Sequence, residues 1–318
     1  MKENFSDKLI PIIAGPTASG KSSLAIEICK KINGEIISAD SRQIYNECLI
    51  GTARATETEL DGVKIHLSGH KNIADEYSVG IWLNEVKAKI DELLSKNITP
   101  VIAGGTPFYI YSLLNGIFCE DEDTKVSIEL RNSLVKRWET ESEILFDELK
   151  KVDGKWAEKL ESNDKQRILR GLEYFYTNKK KLSDSFENHK NVFENYKFQL
   201  FVLQLDREIL YDKINARVEK MLNFGLEDEV KNLYQKYGDF SDYNSLKSVG
   251  YFEWIPYFNN EYSKEKVIEL IKRNSRRYAK RQMTFFNNKF PNAKYIKVLE
   301  NGFAELYSLF MENEKELN

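Results

Sequence analysis

Cysteine is scarce in this 318-residue chain, and its three residues, Cys29, Cys48 and Cys119, lie far apart. Too few and too scattered, they exclude a disulfide framework and a thiolate metal site, and read as free buried thiols. Histidine is equally rare: His66 and His70 have helical spacing but lack the Glu that follows the first His in zinc proteases, which argues for structural rather than metal-binding roles. No stretch approaches the about 20 continuous apolar residues needed to cross a bilayer. The N-terminus, MKENFSDK, has no signal-peptide apolar region, so a cytoplasmic location is expected, with no membrane partner. An excess of positive charge is also missing: 47 Lys and Arg face 50 Asp and Glu, a formal net charge of −3, which argues against wholesale coating of nucleic acid. A hydrophobic content of 42% with 31% charged residues describes a globular chain long enough for a full core. Only Asn313 to Asn318 invite a disordered reading.

Alternating strand and helix patterns fill the first third. Leu9 to Ala14 is a short isoleucine-rich run stopped by Gly15 and predicts a buried strand. A helix is expected from Lys21 to about Ile32, ending at Asn33-Gly34; Glu35 to Ser38 resumes a strand, Ser78 to Leu94 is helical, and Thr99 to Ala103 is again a strand. Such alternation implies right-handed parallel crossovers, with the ligand at the carboxyl ends of the strands. The fold class expected is α/β, a P-loop NTPase-like parallel sheet flanked by helices. From about Asp121 to Asn195 long charged helices such as Ser127 to Leu149 take over, so an inserted small all-helical domain is expected at 121–195, between core segments 1–120 and 196–318. Phe198 to Leu205 returns to a strand, with Asp206 placed to cap the following helix. Amphipathic helices are expected over Ile209 to Tyr237 and Lys264 to Asn288, and a final strand over Tyr295 to Leu299.

Gly15, Pro16, Thr17, Ala18, Ser19, Gly20, Lys21 and Ser22 match G-x-x-x-x-G-K-[ST] between an apolar strand and a helix, where a P-loop must sit. Its backbone N–H groups and the helix N-terminus suit linked phosphates, Lys21 adds a point charge, and the Ser22 hydroxyl suits Mg²⁺. The motif does not say what becomes of the phosphates. Asp40, after the second strand and followed by Ser41, Arg42 and Gln43, reads either as a general base or metal ligand, or as a loop cap. Gly104-Gly105-Thr106 reads either as a close approach to ligand or as a tight turn in which Thr106 caps the next helix. Lys272 to Arg281 carries six basic residues and no acid; a nucleic-acid surface and a solvated helix face both fit it. Gln166 to Arg170 repeats that ambiguity.

Taken in order, these segments resemble the tRNA dimethylallyltransferase (tRNA isopentenyltransferase) family. That family carries G-P-T-A-S-G-K-[ST], D-S-x-Q, G-G-T, Q-R-x-x-R and R-x-x-A-K-R-Q-x-T-W-like segments, here Gly15 to Ser22, Asp40 to Gln43, Gly104 to Thr106, Gln166 to Arg170, and Arg276 to Thr284 followed by Phe285. The resemblance implies transfer of a dimethylallyl group from dimethylallyl diphosphate to N6 of the adenosine 3′-adjacent to the anticodon, in tRNAs reading codons that begin with U. It implies that the P-loop, commonly taken for an ATP site, holds the donor diphosphate with Mg²⁺ at Ser22. Asp40, Thr106, Lys21 and Arg217 are then catalytic. Contacts to tRNA are implied for Asp40, Ser41, Arg42, Gln43, Thr106, Arg131, Gln166, Arg167, Ile168, Leu169 and Arg170. The same holds for Lys247, Ser248, Val249, Gly250, Tyr251 and Phe252, and for Arg276, Arg277, Lys280 and Arg281. A monomer with no obligate protein partner is expected. Departures from the family pattern are Ile65 before His66, Arg42, Pro107 and Phe285; none removes a phosphate ligand or the base. Competing readings are a P-loop nucleotide kinase, an adenylate isopentenyltransferase, and a non-catalytic tRNA-binding protein using the P-loop as a switch.

Overall fold

The structure is a computed structural model that describes residues 8–116, 127–187, 191–298 and 302–317. The elements in chain order are β1 (Leu9–Ala14), α1 (Lys21–Ile32), β2 (Gly34–Ser38), α2 (Glu57–Leu60), β3 (Ile65–His66), α3 (Val79–Ser95), β4 (Thr99–Gly104) and α4 (Pro107–Asn115). Next come α5 (Ile128–Val152), α6 (Gly154–Ala157), α7 (Lys165–Asn178) and α8 (Leu182–Glu187). The chain closes with β5 (Lys197–Gln204), α9 (Arg207–Asn223), α10 (Leu226–Tyr237), α11 (Ile255–Phe258), α12 (Lys264–Lys289), β6 (Lys294–Lys297) and α13 (Gly302–Leu317).

Six strands form one parallel sheet in the order β3-β2-β4-β1-β5-β6. All six residues of β1 are buried, because helices cover both faces of a parallel sheet and leave no polar side to alternate toward. Register sets Ala14 beside Gly104, and Ser38 beside Ala103, so β1, β4 and β2 end level at one sheet edge. The two strands predicted by spacing on either side of α1 fall where expected. Gly20, with φ 88°, turns the chain into α1, and Asn33 in the left-handed region ends it. Ser78 caps α3 by accepting from the Ile81 N–H.

The chain falls into two compact units, 1–114 with 193–318, and 115–192. The second unit contains only helices among its described residues, with Leu134, Leu145, Leu149, Ile168, Leu169 and Leu172 at its centre and a kink at Glu141 in α5. Buried Asp153 holds that unit's turns together, accepting from the Trp156 N–H and from the N–H and hydroxyl of Ser183. The expected boundary at 120/121 and Cys119 lie outside the described residues.

Several details differ from the sequence expectation. The helix expected over Ile209 to Tyr237 is two helices, because Gly225 takes φ 93° between α9 and α10. Asp206 sits at the N-cap of α9 but makes no side-chain cap hydrogen bond. Far from disordered, 313–317 continue α13, whose Leu306 and Phe310 are buried in the core around β1 and α1. Cys29 and Cys48 are buried, and burial pushes both thiols up to about 12. His66 pairs with Glu35 and His70 with Glu85, as structural histidines do. Among the described residues, no helix is long and apolar enough to cross a membrane.

Candidate active site

A cavity of about 400 Å³ opens at the carboxyl edge of β1, β2 and β4. The P-loop contributes Thr17, Lys21 and Ser22; the loop after β2 contributes Asp40 to Gln43; α9 contributes Arg217; α12 contributes Ser275, Tyr278, Arg281 and Gln282; and Lys247 to Val249 form another wall. The strands bring the first two groups together, as the sheet rule predicts. The contribution of α12 depends on tertiary packing alone.

Lys21 lies in the cavity with its ammonium 3.1 Å from the Pro16 carbonyl. Burial pulls its pKa down to about 8; the Asp40 carboxylate opposes the shift and the Arg217 guanidinium adds to it. Arg217 reaches the Thr17 hydroxyl at 2.9 Å with one nitrogen and the Thr52 carbonyl at 3.0 Å with the other. Its pKa is also lowered by burial, with Asp40 opposing, yet a guanidinium remains charged. Two cations and one carboxylate therefore converge on one concave, partly desolvated space, which suits a polyanion.

Asp40 makes the loop-capping contacts of one of its readings and lines the cavity as well. Its Oδ1 accepts from the N–H groups of Arg42 at 2.9 Å and Gln43 at 3.4 Å, an Asx turn that fixes the carboxyl group, while the side chain faces the cavity. Thr106 precedes α4, and its carbonyl accepts from the Tyr109 N–H at 3.1 Å. Its hydroxyl accepts from the Ser41 N–H at 2.9 Å and donates to the Ser41 hydroxyl, so it braces the Asp40 loop, and it also hydrogen-bonds the cavity residue Tyr278. Gly104 also serves that loop: a Cβ there would stand 2.1 Å from the Ala39 carbonyl oxygen, so the residue lets the two strand ends approach closely where they line the cavity.

Gln282 is not among the site residues expected from sequence, because motif membership alone does not say which side chain turns toward the P-loop. Buried, it accepts from the Thr17 N–H at 2.9 Å and donates to the Gly105 carbonyl, tying the P-loop to the loop after β4. Tyr278 was likewise missed; burial, aided by Asp40, pushes its hydroxyl up to about 12, so it stays a neutral donor in the cavity. The motif A-K-R-Q was the available signal for Gln282.

Arg42, a departure from the family pattern, donates to the carbonyls of Asn244 (2.7 Å) and Ser245 (3.2 Å), and so holds the segment leading to Lys247, Ser248 and Val249. Gln43 donates to the carbonyls of Thr52 and Ala53. Along α12, Lys272 is neutralised by Glu219, and Arg276 donates to Asn215 at 2.6 Å while lying over Tyr211. Arg277, Lys280 and Arg281 are exposed along a groove that Phe285 and Lys289 share.

Three residues expected to touch tRNA are core residues instead. Tyr251 is 1% exposed with its hydroxyl on Glu229, and Ile168 and Leu169 fill the centre of the helical unit, where an i, i+1 apolar pair between polar neighbours belongs on the inner face of α7. Gly250 gives its N–H to Glu253, whereas Phe252 is exposed. Within the helical unit, Gln166 and Arg167 are exposed, Arg167 pairs with Asp164, Arg170 is half-buried, and Arg131 pairs with Glu173 at 3.3 Å.

Among the described residues, no group of three His, Cys, Asp or Glu could hold a metal ion. The oxygen donors in the cavity, the Ser22 hydroxyl and the Asp40 carboxylate, suit a hard cation such as Mg²⁺ that keeps its water and takes phosphate oxygens. Buried Ser19 in the P-loop has a hydroxyl with no hydrogen-bond partner, a free polar atom beside the phosphate cradle.

A six-stranded parallel sheet flanked by helices, with the G-x-x-x-x-G-K-S loop at its carboxyl edge, defines an α/β protein of the P-loop-like class. The IPP transferase family model matches residues 43–289, more than half the chain. The chain is 40% identical over 281 residues to a tRNA dimethylallyltransferase of Bacillus cereus, covering 88% of this chain and 87% of that one. It is 42% identical over 286 residues to one of Acetivibrio thermocellus, covering 90% of each. Among solved structures it resembles the tRNA isopentenylpyrophosphate transferase of Staphylococcus epidermidis (TM-score 0.68, 31% identity, 98% of this chain and 99% of that one). A eukaryotic dimethylallyltransferase acting on tRNA also resembles it (TM-score 0.80, 27% identity, 91% of this chain and 74% of that one). This chain belongs to the IPP transferase family.

Proposed function

We infer that this protein is an enzyme, a prenyltransferase that moves a dimethylallyl group from dimethylallyl diphosphate to tRNA, working in the cytoplasm. The observation that carries the reading is the single cavity in which the P-loop's Lys21, Arg217 and Asp40 meet beside the basic helix α12. The acceptor atom we propose is N6 of the adenosine 3′-adjacent to the anticodon, in tRNAs reading codons that begin with U.

N6 attacks the allylic carbon of the donor, the carbon–oxygen bond breaks, and its electron pair leaves with the diphosphate. Lys21 and Arg217 stabilise the negative charge that gathers on the leaving oxygens. Ser22 would hold Mg²⁺, which would supply further positive charge to the diphosphate site. Asp40, held by its Asx turn, hydrogen-bonds the exocyclic amine and takes the proton that N6 loses. A stacked base cannot reach this edge, so the target nucleotide flips out into the cavity. Lys247 to Val249, the exposed Arg277, Lys280 and Arg281, and Gln166, Arg167 and Arg170 of the inserted helical domain contact the anticodon stem-loop around it.

Purified protein given Mg²⁺ and labelled dimethylallyl diphosphate with unmodified tRNA, AMP or no acceptor tests the reading. Label is expected in tRNA. Label in AMP alone would replace the acceptor with a mononucleotide, and no transfer would remove the enzymatic reading.

A further inference from the structure

Glu229, on α10, lies outside every residue group that the chemistry above employs, yet it is the most heavily engaged carboxylate near the site. Its Oε2 accepts from the N–H groups of Leu49 (3.1 Å) and Ile50 (2.7 Å), and its Oε1 from the N–H of Gly51 (3.0 Å) and the hydroxyl of Tyr251 (2.7 Å). Three consecutive amides turned toward one anion form a nest, and charge-assisted hydrogen bonds of this kind fix a loop firmly. Space is fixed too: a Cβ on Gly51 would stand 2.4 Å from the Tyr251 ring. Tyr251 itself is buried, so it cannot swing away.

The opposite side of this loop faces the site. The Thr52 carbonyl accepts from Arg217 at 3.0 Å and from Gln43 at 3.1 Å, and the Thr52 hydroxyl donates back to the Cys48 carbonyl at 2.7 Å. Among the described residues Arg217 has two hydrogen-bond anchors, the Thr17 hydroxyl on one terminal nitrogen and the Thr52 carbonyl on the other. A displacement of the 49–52 loop therefore moves one of the two points that aim Arg217.

We propose that Glu229, locked by the Tyr251 hydroxyl, is a positioning residue that sets the 49–52 loop so that the Thr52 carbonyl aims Arg217 at the diphosphate. This rests on the reading of Arg217 as a diphosphate ligand. Glu229 touches no reacting atom; its effect passes through the loop. Glutamine in its place offers one acceptor oxygen and an N–H₂ group turned on amide hydrogens, so the nest opens while the side-chain volume is kept.

The test measures binding of inorganic diphosphate with Mg²⁺ by calorimetry for the full-length chain, E229Q, R217A and the double variant. E229Q is expected to weaken binding about tenfold, R217A more, and E229Q to add less than about twofold in the R217A background, because the two act as one unit. Y251F, which deletes only the hydroxyl, is the milder variant and is expected to lower affinity in the same dependent way should E229Q fold poorly. Full kinetics should show KM for dimethylallyl diphosphate rising more than kcat falls. An equal factor for E229Q with and without Arg217 would overturn the proposal while leaving the site reading intact. Unchanged affinity in R217A would overturn both.

Discussion

Raising the pH from 7.5 to 9.5 is expected to weaken binding of dimethylallyl diphosphate, because Lys21 loses its proton in the empty site. Burial sets the Lys21 pKa at about 8, with Asp40 opposing the shift and Arg217 adding to it. A polyanion docking on the ammonium favours the charged form, so binding draws a proton onto Lys21. For a pKa of about 8 the protonated fraction falls from about 0.76 to about 0.03 over this range, so the affinity should fall by about 25-fold, or about 2 kcal/mol. The donor's own diphosphate is already fully ionised there and adds no slope. Calorimetric titration with Mg²⁺ and without tRNA measures this directly, and buffers of different ionisation enthalpy at pH 8.5 should report uptake of about 0.8 proton per donor bound. Lys21→Arg, whose guanidinium does not titrate in this range, should bind with no such slope. A flat profile in the unaltered protein, or the same slope in Lys21→Arg, would refute the argument.

Three further outcomes follow from the same geometry. Asp40→Asn keeps the acceptor oxygen that the Arg42 and Gln43 N–H groups need, so the fold should stand while kcat for tRNA prenylation drops by about 10²–10⁴-fold and donor affinity at pH 7 barely changes. In that variant the pH break of donor binding should also move lower, because Asp40 is what raises the Lys21 pKa. Gln282→Leu strands the Thr17 N–H and the Gly105 carbonyl and should cost the sheet-bearing unit about 2–4 kcal/mol in urea denaturation, with the slope unchanged; a loss under about 0.5 kcal/mol would show that the bridge is idle. Arg277→Ala and Lys280→Ala should each lower the salt slope of anticodon stem-loop binding by about 0.7–0.9, read from binding constants across a salt series.

Much of the sheet was legible because buried parallel strands leave a local mark. Leu9 to Ala14 and Thr99 to Ala103 are short apolar runs ended by glycine, and their neighbours along the chain are enough to recognise them. Short or irregular elements were not legible: β3 is only Ile65–His66, and the turn at Gly225 that divides α9 from α10 is one residue in an otherwise helical pattern. Within the site, the P-loop and Asp40 could be read because each is contiguous and follows a strand. Thr106 was visible, but its duty toward Ser41 was not, since that contact crosses from one strand end to another. Tyr251 and the pair Ile168-Leu169 belong to family motifs yet pack in cores, because motif membership does not distinguish a residue that faces the ligand from one that packs behind it.

The P-loop, the carboxylate after β2 and the basic stretch of α12 were therefore determined by sequence, because the phosphate cradle and helix periodicity depend on residues within one turn of each other. Tertiary structure alone decided that α12 reaches the P-loop through Gln282, that Arg217 is aimed by Thr17 and Thr52, and that Glu229 sets the loop carrying Thr52. Each of these joins residues far apart along the chain, and hydrogen bonds of that kind exist only once the core has closed and brought their partners within reach.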